Sequence, residues 1–247
     1  MVALDRIGSA AIKDRIVVHY INQFGEEEEG IDAGGLFKDF WNDLSSRVFN
    51  PSFGLFSVTS SQLLYPNHNA VSLYPREELD KLYFFVGRVL GKALFENLVV
   101  QPQFAHFFLS FINGRYNFVN LIDDLATLDP ELYKNLIFLK TYEGNISDLC
   151  LTFSISEDAY GAQREIELMA GGSAVVVTSQ NRHRYISAVA KYYLHDRIQL
   201  QAAAFFRGLH QVIAPDLLSV FCAPELQVFI NLTNSCLDNG LLSNYEN

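Results

Sequence analysis

The sequence predicts a mostly helical α+β fold in which a large helical subdomain, discontinuous along the chain, carries a small inserted α+β subdomain. Three observations lead there. Apolar residues recur at helical spacing over residues 75–97, and residues 181–213 contain no proline and one glycine, as long helices require. Between these segments the apolar period shortens to two, the mark of strands. The chain has 247 residues, 49% apolar and 19% charged, which supplies one large core or two small ones and excludes a disordered protein.

Ile16 to Ile21 alternates β-branched and aromatic residues as a strand does. The Gly25 to Gly30 turn then leads to Leu36, Phe37, Phe40, Trp41, Leu44 and Val48, spaced for a helix. Pro75, with Glu77 and Glu78 behind it, opens a helix whose apolar face (Leu79, Leu82, Val86, Leu90, Leu94) runs to about Asn97. Gly87 and Gly91 share one side of that helix and permit close approach by a neighbour, while Arg88 and Lys92 exclude a lipid-facing role. The aromatic run Phe104 to Ile112 predicts a buried helix, ended by Gly114.

Asp129-Pro130-Glu131 joins an N-cap, a proline at the first helical position and an acid in the first turn, so a helix bearing Leu132, Leu136, Ile137 and Leu139 starts here; Gly144 closes it. Leu149, Leu151, Phe153 and Ile155 predict a half-buried strand, and residues 164–169 and 174–178, joined by Ala170-Gly171-Gly172-Ser173, predict a hairpin. From Asn181 to Ile213 the chain forms one long helix or two consecutive ones, and Pro215 and Pro224 each begin a short helix. The large subdomain then comprises residues 1–124 and 195–247, and the small one residues 125–194.

The formal charge of −10 argues against a nucleic-acid partner, whose affinity rests on neutralising phosphates. No run approaches the ~20 apolar residues of a membrane span, and Asp5 and Arg6 interrupt any signal peptide. A cytoplasmic or nuclear location is the expectation. Cys150, Cys222 and Cys236 have no paired spacing, and the Asn145 and Asn231 sequons lack an export signal. Six histidines show no HxxxH or HxH spacing, and Glu26 to Glu29 is a solvated run, so no metal is expected. The glycines at 30, 34 and 35 lack the phosphate-loop pattern, so no cofactor is expected. No cysteine sits in a recognisable nucleophile context. What stands out is Leu132 to Tyr185, where more large apolar side chains fall than a small unit hides; they form either its own core or a surface groove for a partner.

The runs Gly30-Ile31-Asp32-Ala33-Gly34-Gly35-Leu36-Phe37-Lys38-Asp39-Phe40, Asn50-Pro51 with Gly54-Leu55-Phe56, and Phe85-Val86-Gly87-Arg88-Val89-Leu90-Gly91-Lys92-Ala93 occur in this order. Leu128-Asp129-Pro130-Glu131-Leu132-Tyr133, Gly171-Gly172 with Val177-Thr178, Gln201 with Ala204-Phe205 and Gly208, and Pro224-Glu225-Leu226-Gln227 follow. Together they resemble the HECT-type ubiquitin-protein ligases, specifically the N-terminal lobe of the catalytic domain, over residues 14–230, and most of all the branch with several plant ligases.

The resemblance implies a transferase that takes ubiquitin from a conjugating enzyme onto a catalytic cysteine and then onto a lysine of a protein substrate. The family's Thr-Cys-Phe-Asn type motif does not occur here. The expectation is therefore an N-lobe fragment with no catalytic residue of its own, inactive alone, whose small subdomain docks the ubiquitin-charged conjugating enzyme. Carried across, the docking residues are Leu132, Leu136, Leu139, Tyr142, Leu151 and Tyr185, with Asn135 at the rim; at Leu151 and Tyr185 the match is in side-chain type only. Two alternatives stand beside this reading: a non-catalytic HECT-like interaction scaffold, and a self-contained hydrolase using Cys150.

Overall fold

The structure, a computed structural model, describes residues 11–14, 16, 18, 35–98, 100–113, 121–159 and 162–232. The expected strand at 16–21, the turn at 25–30, the Glu26 to Glu29 run, Gly114 and Cys236 lie wholly or mostly outside them.

The first helix, α1 (Gly35–Val48), buries Trp41 and Val48 and rests Phe37, Phe40 and Leu44 against the core. A short antiparallel pair follows, β1 (Phe56–Val58) with β2 (Leu64–Pro66), in the register Phe56 to Pro66 and Val58 to Leu64. Helix α2 (Arg76–Phe95) starts behind Pro75 as its sequence dictates, with Glu77 and Glu78 in the first turn. It is not one-faced: from Leu82 to Leu94 every residue but Phe84 is buried. Its glycine side meets α7 (Gln199–His210), where a Cβ on Gly91 would fall 2.8 Å from that of Val212 and one on Gly208 only 2.0 Å from the Phe84 carbonyl oxygen. Small residues on both helices bring the two backbones together.

The aromatic run gives only a short helix, α3 (His106–Leu109), continuing as a 3-10 turn over Ser110–Asn113. Its rings form the centre of the large core. Phe104 meets Phe49, Phe56, Phe108 and Phe205 at centroid distances of 5.6–6.2 Å, suited to edge contacts. Helices α8 (Pro215–Leu218) and α9 (Ala223–Leu232) close this body. Gln227 accepts the Phe104 N–H at 2.6 Å and Asn231 donates to the Val100 carbonyl at 2.9 Å.

The inserted unit begins with α4 (Leu121–Leu128), a helix without a sequence expectation of its own, which packs on α5 (Pro130–Thr141) and α6 (Arg182–Leu194). The residue-125 boundary thus falls inside a helix. The strands also differ from expectation: β3 (Ser154–Ala159) pairs antiparallel with β4 (Ala162–Glu167). Residues 146–149 form a 3-10 turn, and 172–174 another. The cause is Glu167, whose carboxylate accepts the Gly171 and Ser173 N–H groups and the Ser173 hydroxyl and so curls residues 168–174 into a loop. The expected hairpin of 164–169 with 174–178 is therefore replaced: β4 pairs with β3, and Val176 bridges to Thr152. The 181–213 segment is two helices, broken at Asp196–Ile198, where the Asp196 carboxylate takes both Lys191 and His195.

Candidate partner-docking site

Helix α5 starts where its cap chemistry places it: Asp129 accepts the N–H groups of Glu131 and Leu132 at 3.1 and 3.0 Å, with Pro130 at the first helical position. Its apolar residues surround the helix, so burial rather than spacing decides which face is free. Leu136 and Leu139 are each 4% exposed and turn into the insert's own core. Tyr185, on α6, is 7% exposed and meets Phe153 edge-on at 5.5 Å. Burial pushes its phenol above the ordinary value, so the ring stays neutral. These three expected groove residues belong to the inner layer of the insert.

The expected residues that meet solvent are Asn135, exposed, and Leu132, Tyr142 and Leu151, half-buried. Two residues the sequence reading passed over join the free apolar surface: Phe138, 57% exposed, and Val176, 47% exposed. Phe138 and Tyr142 lie one helical turn apart and their rings meet at 5.3 Å. Tyr142 is held from below by two features. Its carbonyl accepts from the Arg182 guanidinium at 2.9 Å, and its ring lies over Gly144, where an added Cβ would come within 2.5 Å. Leu151 is fixed through its carbonyl, which accepts the Val177 N–H at 2.8 Å, beside the Thr152 to Val176 bridge. Exposed Lys134, Lys140 and Arg184 stand on the same two helices, α5 and α6, in a chain that is strongly acidic overall.

Cys150 is exposed at the end of a 3-10 turn with its Sγ toward the Asp148 carbonyl, and the Cys222 N–H donates to the Glu225 carboxylate, which this bond holds below its ordinary pKa. Among the described residues neither cysteine bonds to a histidine, and no group of three or more His, Cys, Asp or Glu side chains is placed to hold a metal. No described helix is long and apolar enough to cross a membrane. An open cleft of about 790 Å³ lies between α2 and α7, lined among others by Arg76, Glu77, Asp80, Lys81, Gln201 and Arg207, with Arg207 paired to Asp80 at 2.7 Å.

The described residues form a mostly helical body with an insert whose first long helix is capped and carries an exposed aromatic pair, and the sequence assigns its class. The chain belongs to the HECT-domain (ubiquitin-transferase) family, whose model matches residues 42–244. It is 40% identical over 236 residues to the E3 ubiquitin-protein ligase UPL6 of Arabidopsis thaliana, covering 96% of this chain and 22% of that protein. It is also 40% identical over 238 residues to human ubiquitin-protein ligase E3B, covering 95% and 22%, and 36% identical over 248 residues to E3 ubiquitin-protein ligase HUL5 of Saccharomyces cerevisiae, covering 99% and 26%. The plant UPL6 and the human E3B thus match at the same identity. The chain spans about a fifth to a quarter of the length of these curated relatives.

Proposed function

We propose that this chain is the N-lobe of a HECT ubiquitin-protein ligase and that residues 121–194 dock a ubiquitin-charged conjugating enzyme. The observation that carries this is the Phe138–Tyr142 pair, an aromatic step that reaches solvent on a unit whose Leu136, Leu139, Phe153 and Tyr185 are buried. Exposed aromatics with a polar rim are what a transient interface uses for its anchors. Asn135 supplies a rim contact, and the lysines and arginine of α5 and α6 steer an acidic partner edge without contributing much affinity.

In the whole ligase a cysteine thiolate outside this chain attacks the thioester carbonyl of the docked carrier. The carbon–sulfur bond to the carrier breaks, its thiolate leaves, and ubiquitin is held as a new thioester until a substrate lysine amine displaces it. This chain contributes recruitment and orientation; none of its cysteines is assigned a transfer role. Its setting is cytoplasmic or nuclear, where conjugating enzymes meet protein substrates.

Calorimetric titration of the chain with a panel of conjugating enzymes tests the reading. At least one should bind, and Phe138→Ala and Tyr142→Ala should each weaken it on the order of tenfold, about 1.4 kcal/mol. Undiminished affinity in both variants removes the face from consideration. Binding accompanied by a lack of transfer activity in the full-length protein would favour the scaffold alternative, and a thioester-probe adduct on Cys150 the hydrolase.

A further inference from the structure

The insert can deliver a docked carrier usefully only if its orientation on the body is held, and the described covalent connections alone do not hold it. The chain crosses into the insert at α4 and leaves it after Leu194. Both crossings are supported: the Ser60 hydroxyl and N–H donate to the Thr127 carbonyl, and Phe111 stacks on His195 at 4.8 Å. A third tie starts from a different element, the β3–β4 hairpin. Glu157 on β3 accepts the Tyr192 hydroxyl at 2.7 Å with one carboxylate oxygen, and its other oxygen lies 3.8 Å from the guanidinium of Arg197, the second residue of the 3-10 turn that follows His195. Arg197 is itself preset. Its Nε donates to the Tyr193 carbonyl at 2.9 Å, its guanidinium lies 4.7 Å from the centre of the Tyr193 ring, and its side chain is 9% exposed.

We propose that Glu157, Tyr192 and Arg197 form a latch that fixes the angle of the insert on the large body, making Glu157 and Arg197 positioning residues for ubiquitin transfer. The functional half of this statement rests on the docking role proposed above; the mechanical half does not. A two-stranded hairpin is too small to hold its own orientation. The carboxylate is oriented by its 2.7 Å bond from the Tyr192 phenol, which turns its other oxygen toward the Arg197 guanidinium across 3.8 Å. The 3.8 Å separation from Arg197 leaves the pair able to part without breaking any backbone contact.

The chain supplies its own reporters. Cys150 lies on the insert and Cys222 on the body, both exposed. Spin labels on these two, with Cys236→Ser to remove the third thiol, read the inter-unit distance. The native chain should give one narrow distribution, and Arg197→Met and Glu157→Gln should broaden or split it. Tyr192→Phe, which removes one oxygen and keeps the ring, is the variant to use if either of these fails to fold. In unlabelled protein the affinity for the conjugating enzyme should be unchanged, since the latch lies off the docking face. In the full-length ligase the transfer rate at saturating carrier should fall while the half-saturating concentration stays. A distance distribution identical to the native one in the folded variants overturns the latch; weakened carrier binding with an unmoved distance would mean that Glu157 belongs to the docking surface instead. Failure of every conjugating enzyme to bind would sink the docking role and leave the distance result intact.

Discussion

Gly87 approaches the carbonyl oxygen of Phe205 so closely that a Cβ added there would sit 1.8 Å from it, with the Leu209 nitrogen 2.9 Å away. Both obstacles are backbone atoms in buried parts of the fold, so neither can swing aside. The α2–α7 crossing is therefore set by the lack of a side chain at this position, with Gly208 playing the same part on the opposite helix.

Gly87→Ala should accordingly force the two central helices apart and destabilise the chain by about 3 kcal/mol or more, the upper end of overpacking costs. Gly35→Ala, on α1 with open space around it, should be neutral or slightly stabilising through its better helix propensity. Urea midpoints compare the two. Similar midpoints for both would contradict the crossing described.

Lys92 shows a different dependence. It is wholly buried on α2, pairs with Glu96 at 2.5 Å, and donates to the carbonyls of Asp14 at 2.9 Å and Lys13 at 3.4 Å. A buried ammonium is tolerable only with such a set of acceptors, and removing it leaves them without a donor. Lys92→Met should cost about 2 kcal/mol and loosen residues 11–14 from the helix. Trypsin reports this directly, because Lys13 is itself a cleavage site: nicking there should accelerate in the variant, and equal rates would show that the lysine does not hold the segment.

What the sequence made legible, and what it did not, follows the range of the interactions. The Asp129 cap, the Pro75 and Pro224 helix starts and the paired glycines of α2 were readable because each signal and its structural consequence lie within a few residues. The identity of the helix that fills the glycine notch was not, since Phe205 is over a hundred positions away from Gly87. Nor was the β3 start: Thr152 and Val176 lie opposite one another only because Glu167 folds the loop between them. The two sides of α5 were illegible for another reason. With Leu132, Tyr133, Leu136, Ile137, Phe138 and Leu139 around α5, no period distinguishes the inward side from the outward one, so the burial of Leu136 and Leu139 and the exposure of Phe138 do not follow from spacing.

His68 gives the fold a defined acid sensitivity. Burial first, and the nearby Arg197 charge second, lower its pKa from 6.5 to about 4, with Glu157 acting weakly in the other direction. The unfolded chain therefore binds a proton between pH 6.5 and 4 that the folded chain refuses. Stability from this group is complete above pH 6.5 and declines as pH falls toward 4. Because the ring is not fully shielded from water, the loss should be only about 1–2 kcal/mol. His210, lowered by burial, adds in the same direction. Urea midpoints at pH 7 and pH 4.5 should differ less in His68→Leu than in the native chain; parallel losses in both would assign the acid sensitivity elsewhere.

The inner and outer layers of the insert should separate by mutation. Leu136 is 4% exposed within the core, so Leu136→Ala deletes buried methyl groups and should cost 2–5 kcal/mol of stability. Any loss of docking should then track the unfolded fraction. Gly144→Ala should do the opposite. Gly144 is exposed, and its added methyl would meet only the far edge of the Tyr142 ring, at 2.5–2.8 Å, which can turn away at little energetic expense. Stability should change by less than about 0.5 kcal/mol, as for exposed sites generally. The displaced ring, however, breaks its 5.3 Å contact with Phe138 and leaves the aromatic step incomplete. Carrier affinity should therefore fall several-fold in a protein that melts normally, while Leu136→Ala, assayed under conditions where it is folded, should bind as the native chain does. Were Leu136→Ala to lose affinity while fully folded, the anchor would lie in the inner layer, and the partner would have to open the insert to reach it.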